Sequence, residues 1–119
     1  MPSKITYTPA FLREAKKLAK KHRSLKQDLA SLEQLLITAP HSGTQILQDI
    51  YKIRFAIKSK GKGKSGVGRA ITFVFEHHHE ADTTIVVLLS VYDKSEQASI
   101  NENYLRDLAS RFLSTYEEE

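Results

Sequence analysis

The chain has 119 residues, 40% of them hydrophobic, with a formal net charge of +4, no Cys, no Trp and one Met. This length is that of one domain, 1–119, with an aliphatic and Phe/Tyr-built core, and without Cys it has neither disulfides nor thiolate chemistry. The longest run of large aliphatics, Ile85 to Leu89, is far short of a membrane span, the first residues lack an apolar signal core, and cytoplasm is the expected compartment.

Lys4 to Tyr7 predicts a short strand with Ile5 and Tyr7 on one face. Thr8 followed by Pro9 reads as an N-cap and a proline at the first helical position. The helix behind them spaces Phe11, Leu12, Ala15, Leu18 and Ala19 on one stripe and carries Arg13, Lys16, Lys17, Lys20 and Lys21 on the other. Such a basic face is a solvated surface in the simplest reading and a phosphate-contacting flank in the sharper one. Ser24 with Gln27 spells a capping box for a second helix, whose seam is Leu25, Leu29, Leu32 and Leu36. Pro40 and Gly43 end it, and residues 39–49 are predicted as a loop with Ile46 and Leu47 tucked inward.

Tyr51, Ile53, Phe55 and Ile57 then alternate with Lys52, Arg54 and Lys58, the period of a half-buried strand. A glycine–lysine loop follows, with Lys60, Lys62 and Lys64 among Gly61, Gly63, Gly66 and Gly68. From Tyr51 to Phe75 there are seven Lys or Arg and no Asp or Glu; the remainder carries eleven basic and fourteen acidic residues, a net −3. The positive charge is thus local to this hairpin, which points to a polyanion as target.

Arg69 to Phe75 predicts a second core strand, EHHHEAD a polar connection, and Thr84 to Tyr92 a third strand, apolar on both faces and placed inside the sheet. Ser99 with Glu102 spells a further capping box before a helix with Leu105, Leu108, Ala109, Phe112 and Leu113 on one stripe. The order β-α-α-β-β-β-α gives an α+β fold: a small antiparallel sheet packed on an N-terminal helical hairpin and a C-terminal helix.

The segment Gly61-Lys62-Gly63-Lys64-Ser65-Gly66 matches G-x-G-x-x-G but leads into a strand rather than a helix, so no nucleotide cofactor is expected. Val67 stands where a Walker lysine would follow Gly66. Three consecutive imidazoles, His77 to His79, suit one metal poorly, and no metal site is expected. No nucleophile elbow appears. Asp93 and Glu96, which flank Lys94, read as caps of the last helix. In an antiparallel sheet Lys58, Arg69 and Tyr92 fall at one end, with Arg54 and Lys94 nearby. An arginine fork suits the oxygens of a phosphorane, a lysine flanked by cations can act as a base, and a tyrosine can stack or bond to phosphate.

The segments LAKKHRSLKQDL, YKIRFAIKSKGKGKSGVGRAITFVF and LLSVYDKSEQASI together resemble the RelE/ParE superfamily of type II toxin–antitoxin toxins, in particular its HigB-like branch. The similarity covers most of residues 3 to 113 in the same element order. It implies a cytoplasmic antitoxin as partner and metal-independent, ribosome-dependent endoribonuclease activity on mRNA (an mRNA interferase) that inhibits translation, with no small-molecule cofactor. Position by position, Arg69 matches the transition-state arginine, Lys58 and Lys60 the basic residues near the attacking 2′-hydroxyl, and Tyr92 and Lys94 the strand-end pair. Lys52, Arg54, Lys62 and Lys64 are expected to bind RNA. The sequence departs from RelE itself after its last strand, where DKSEQASINEN replaces an arginine-rich segment. ParE-like members bind DNA gyrase without catalysis, and this reading and that of a degenerate, non-toxic binding module stay open.

Overall fold

The computed structural model describes residues 3–60, 67–77 and 82–117. Its elements are β1 (Ser3–Tyr7), α1 (Pro9–Lys21), α2 (Leu25–Thr38), β2 (Thr44–Leu47), β3 (Ile50–Phe55), a 3-10 turn (Lys58–Lys60), β4 (Gly68–His77), β5 (Thr83–Asp93) and α3 (Glu102–Glu117). The architecture is α+β. The strands form one five-stranded sheet in the order β1-β5-β4-β3-β2.

Two features of the sheet differ from the sequence expectation. Residues 44–47 form an edge strand on β3 rather than a loop, with a register shift between Gln45 and Leu47. Four residues with one half-buried pair, Ile46 and Leu47, carry too little periodicity to read as a strand. The sheet is also mixed: β1 runs parallel to β5, with Ser3 opposite Thr84 and Tyr7 opposite Leu88. A parallel pair cannot be closed by a tight turn; here the α1–α2 hairpin carries the chain from the β1 edge to the β2 edge, and β2, β3 and β4 precede β5.

The two faces of the sheet bury separate cores. One joins Phe11, Leu18, Leu25, Leu29, Leu32 and Leu36 of the helical hairpin to Ile53, Phe55, Ala70, Val74, Val86, Leu88 and Val91. The other packs Leu105 and Ala109 of α3 on Ile50, Ile71, Phe73, Ile85, Val87, Leu89 and Tyr92. β5 is therefore apolar on both faces, and it lies inside the sheet between β1 and β4. Leu12 escapes the predicted stripe of α1 and is 54% exposed; Ala19 is exposed as well.

Thr8 caps α1 as its sequence predicts: its Oγ accepts from the Phe11 amide at 3.0 Å and donates to the Leu89 carbonyl at 2.8 Å. Where β1 ends, Glu14 of α1 closes the edge of β5, accepting from Ser90 Oγ at 2.7 Å and the Val91 amide at 3.1 Å. The two capping boxes do not form. Ser24 has helical backbone angles and makes no cap bond; its hydroxyl donates to Asp28 Oδ2 at 2.7 Å instead. α3 is capped by Asn101, whose Oδ1 accepts from the Tyr104 amide at 3.0 Å, so Ser99 lies outside the helix. No helix among the described residues is long and apolar enough to cross a membrane.

Candidate functional site

β3 ends, β4 begins and β5 ends at the same end of the sheet. The register there aligns Arg54 with Arg69 and Arg69 with Tyr92. Directly opposed residues share a face and have Cβ atoms about 5 Å apart. Three chain segments thus set two guanidinium side chains and a phenol in one row, on the face that α3 covers further along. Lys52, two residues before Arg54, continues the same face and is exposed.

A bulge creates this row. Ile71 pairs with Ser90, but Thr72 pairs with Leu88, so Leu89 is the extra residue. Simple alternation along β5 would put Tyr92 on the face of Val86 and Leu88. The extra residue reverses the parity, joins Tyr92 to Ile85 and Val87, and turns Asp93 to the hairpin side.

Arg69 and Tyr92 are each 6% exposed, whereas Arg54 is exposed. Arg69 donates from Nη1 to the Gly68 carbonyl at 3.0 Å. Burial pushes the Tyr92 phenol up from its ordinary range, and the neighbouring Arg69 charge opposes that push. The phenol is therefore held in its neutral, proton-donating form at physiological pH.

The adjacent row is Phe55, Gly68 and Asp93, on the opposite face. The Phe55 ring occupies the space a Gly68 side chain would need, a Cβ there falling 2.5 Å from the ring. Asp93 is 1% exposed. Its Oδ2 accepts from Lys60 Nζ at 2.7 Å, and its Oδ1 accepts from the Ser95 amide at 2.9 Å and hydroxyl at 2.7 Å. His22, the C-cap of α1, places Nε2 3.4 Å from Oδ2. Burial alone would raise the Asp93 carboxyl, but the Lys60 and Ser95 bonds together outweigh it and hold it at about 2. Asp93 does not cap α3, which begins only at Glu102. Its ion-pair role left no local signal, since its partner is 33 residues away.

The other sequence candidates divide as follows. Lys60 is drawn to the hairpin side by Asp93 rather than joining Arg69. Lys58 is exposed, and its amide donates to the buried Asp28 at 3.2 Å. Lys94 is exposed in the turn after β5, its amide donating to the Val67 carbonyl at 2.8 Å. Lys62, Lys64 and the G-x-G-x-x-G segment lie outside the described residues, as do His78 and His79. His77 ends β4 and meets Tyr116 edge to face at 5.2 Å. Among the described residues no group of three or more His, Cys, Asp or Glu is arranged to hold a metal ion.

No protein family's profile matches the chain, and no curated protein does. Among solved structures it is similar to a double mutant of the E. coli toxin RelE in the free state, with a TM-score of 0.56 and 16% identity over 93% of this chain and 98% of that one. The fold is RelE-like.

Proposed function

On the premise of a RelE-like fold, we propose that residues 1–119 form the toxin of a type II toxin–antitoxin pair, of the HigB-like branch, that cleaves mRNA on the ribosome without a metal. The observation that carries this reading is the Arg54–Arg69–Tyr92 row, two guanidinium groups beside a neutral phenol drawn from three strands. In the proposed reaction the 2′-hydroxyl attacks the adjacent phosphorus, the bond to the 5′-oxygen breaks, and a cyclic phosphate and a 5′-hydroxyl result. Arg69 donates to the non-bridging oxygens as charge builds on the phosphorane. Tyr92 bonds to the same phosphate group. Lys52 and Arg54 hold flanking phosphates. Of the two lysines expected near the attacking hydroxyl, Lys58 is exposed and takes that role, whereas the Lys60 ammonium is engaged by Asp93. Lys94 neutralises charge at the rim, and Lys62 and Lys64 are retained as RNA-binding candidates from the sequence.

Induction in cells should give ribosome-bound mRNA cut to 5′-hydroxyl ends. Arg69→Ala should lower cleavage about 100-fold or more while the protein still melts cooperatively. Undiminished cleavage by that variant overturns the assignment. A second reading, non-enzymatic binding of a protein target such as gyrase, is favoured by one observation: Arg69 and Tyr92 are only 6% exposed each. Growth arrest with intact mRNA and accumulated DNA breaks would support it. In either case the partner that restrains the toxin is a cognate antitoxin with an acidic segment, to match the local positive charge.

A further inference from the structure

Three segments distant in sequence meet at Asp93, the end of β5 being one of them. Lys60 reaches it from the turn after β3, His22 from the end of α1, and Ser95 from the turn after β5. The turn Lys58–Lys60 is held from a second side as well: the Lys58 amide donates to Asp28, and the Ser59 amide donates to Ser24 Oγ at 2.8 Å. Val67, just before β4, is tied to the same place by the Lys94 amide. Asp93 directly follows Tyr92 and pairs with Gly68, the residue before Arg69. A buried carboxylate paired with an ammonium is a costly arrangement that stands only while all its bonds are made, and breaking one partner is strongly felt. It therefore makes a firm reference point for the residues on either side.

We propose that Asp93 is a positioning residue for the Arg69–Tyr92 row, acting through its buried ion pair with Lys60 to fix the ends of β4 and β5 and the turn after β3. It touches no substrate, and Lys60 serves as its counter-ion rather than as a base. The inference rests on the nuclease reading for its kinetic consequence, though not for its structural one.

Electrostatics makes the test discriminating. Asp93→Asn removes one negative charge and frees an ammonium at the rim, so RNA binding should hold or strengthen. The catalytic row, however, loses its reference point, and misplacement on the scale of an ångström costs about 100-fold in rate. Cleavage of ribosome-bound mRNA by Asp93→Asn should thus show kcat down by at least about tenfold with KM no higher. Lys60→Met should reproduce that loss, and the double variant should be no worse than either single one, since the pair acts as a unit. Additive losses would show that the two residues act separately, and a faster Asp93→Asn enzyme would show Lys60 to be a base that Asp93 holds back; either result would overturn the proposal. Hydrogen exchange gives a readout independent of activity: the Lys60, Lys94 and Ser95 amides should lose protection in Asp93→Asn while those of α2 and of the middle of β4 keep theirs. If the wild-type protein cuts no RNA, the nuclease reading falls alone. The clamp is then decided by exchange, where unchanged protection of those three amides refutes it.

Discussion

Gly68 is required by its neighbour rather than by its backbone. A Cβ at that position meets the Phe55 ring at 2.5 Å, and the ring is part of the hairpin-side core. Gly68→Ala is expected to lower stability by about 1–3 kcal/mol, the usual cost of overpacking, visible as a lower urea midpoint. Because Arg69 follows directly, the proposed RNA cleavage should fall with it. Asp93 sets an acid limit. Its folded value of about 2 lies below the ordinary 3.8, so its contribution is complete above pH 4 or so and is lost as pH falls through about 2. The shift corresponds to about 2 kcal/mol, and an acid titration of stability should lose that step in Asp93→Asn. Tyr7 sets an alkaline one. Its hydroxyl donates to Glu33 Oε1 at 2.7 Å, and burial together with that carboxylate pushes it up to about 12. The proton is bound more tightly in the folded state, so stability should be intact below pH 10 and decline as pH rises toward 12.

Among the elements, α1 shows how local chemistry and sheet geometry meet. Thr8 and Pro9 announce the helix start in the sequence, and the cap forms. The Thr8 hydroxyl also donates to the carbonyl of Leu89, the bulged residue of β5. Thr8→Ala removes a helix cap and leaves a buried carbonyl short of a donor, for an expected cost of about 1–2 kcal/mol, measurable by denaturant unfolding. The other two capping boxes do not form, although Ser24 does stand at the N-cap position of α2. Ser-x-x-Gln and Ser-x-x-Glu describe a helix end in isolation, whereas Ser24 is recruited by Asp28 and Ser59, and Asn101 lies nearer the start of α3. Helices and interior strands were legible because their apolar periodicity is long. β2 was not, because four residues on an edge owe their form to pairing with β3.

Across the molecule, charge follows the sequence while position follows the fold. The acid-free stretch from Tyr51 to Phe75 places Lys52 and Arg54 on an exposed strand surface. Binding of a 2′-O-methylated single-stranded RNA should weaken with salt, and Arg54→Gln should reduce the slope of log K against log salt by about 0.7, the value of one phosphate contact on a single strand. An unchanged slope would remove Arg54 from the phosphate contacts. The α+β class, the principal elements, their buried seams and the basic hairpin were determined by the sequence alone, because each depends on residues within a few positions of one another. Which candidates share a site was decided only by the tertiary structure. The bulge at Leu89 exists only in the pairing of β4 with β5, and it sends Tyr92 to Arg69 and Asp93 to Lys60 on opposite faces. A reversal of parity by one unpaired residue leaves no periodic trace along the chain, since it belongs to two strands at once.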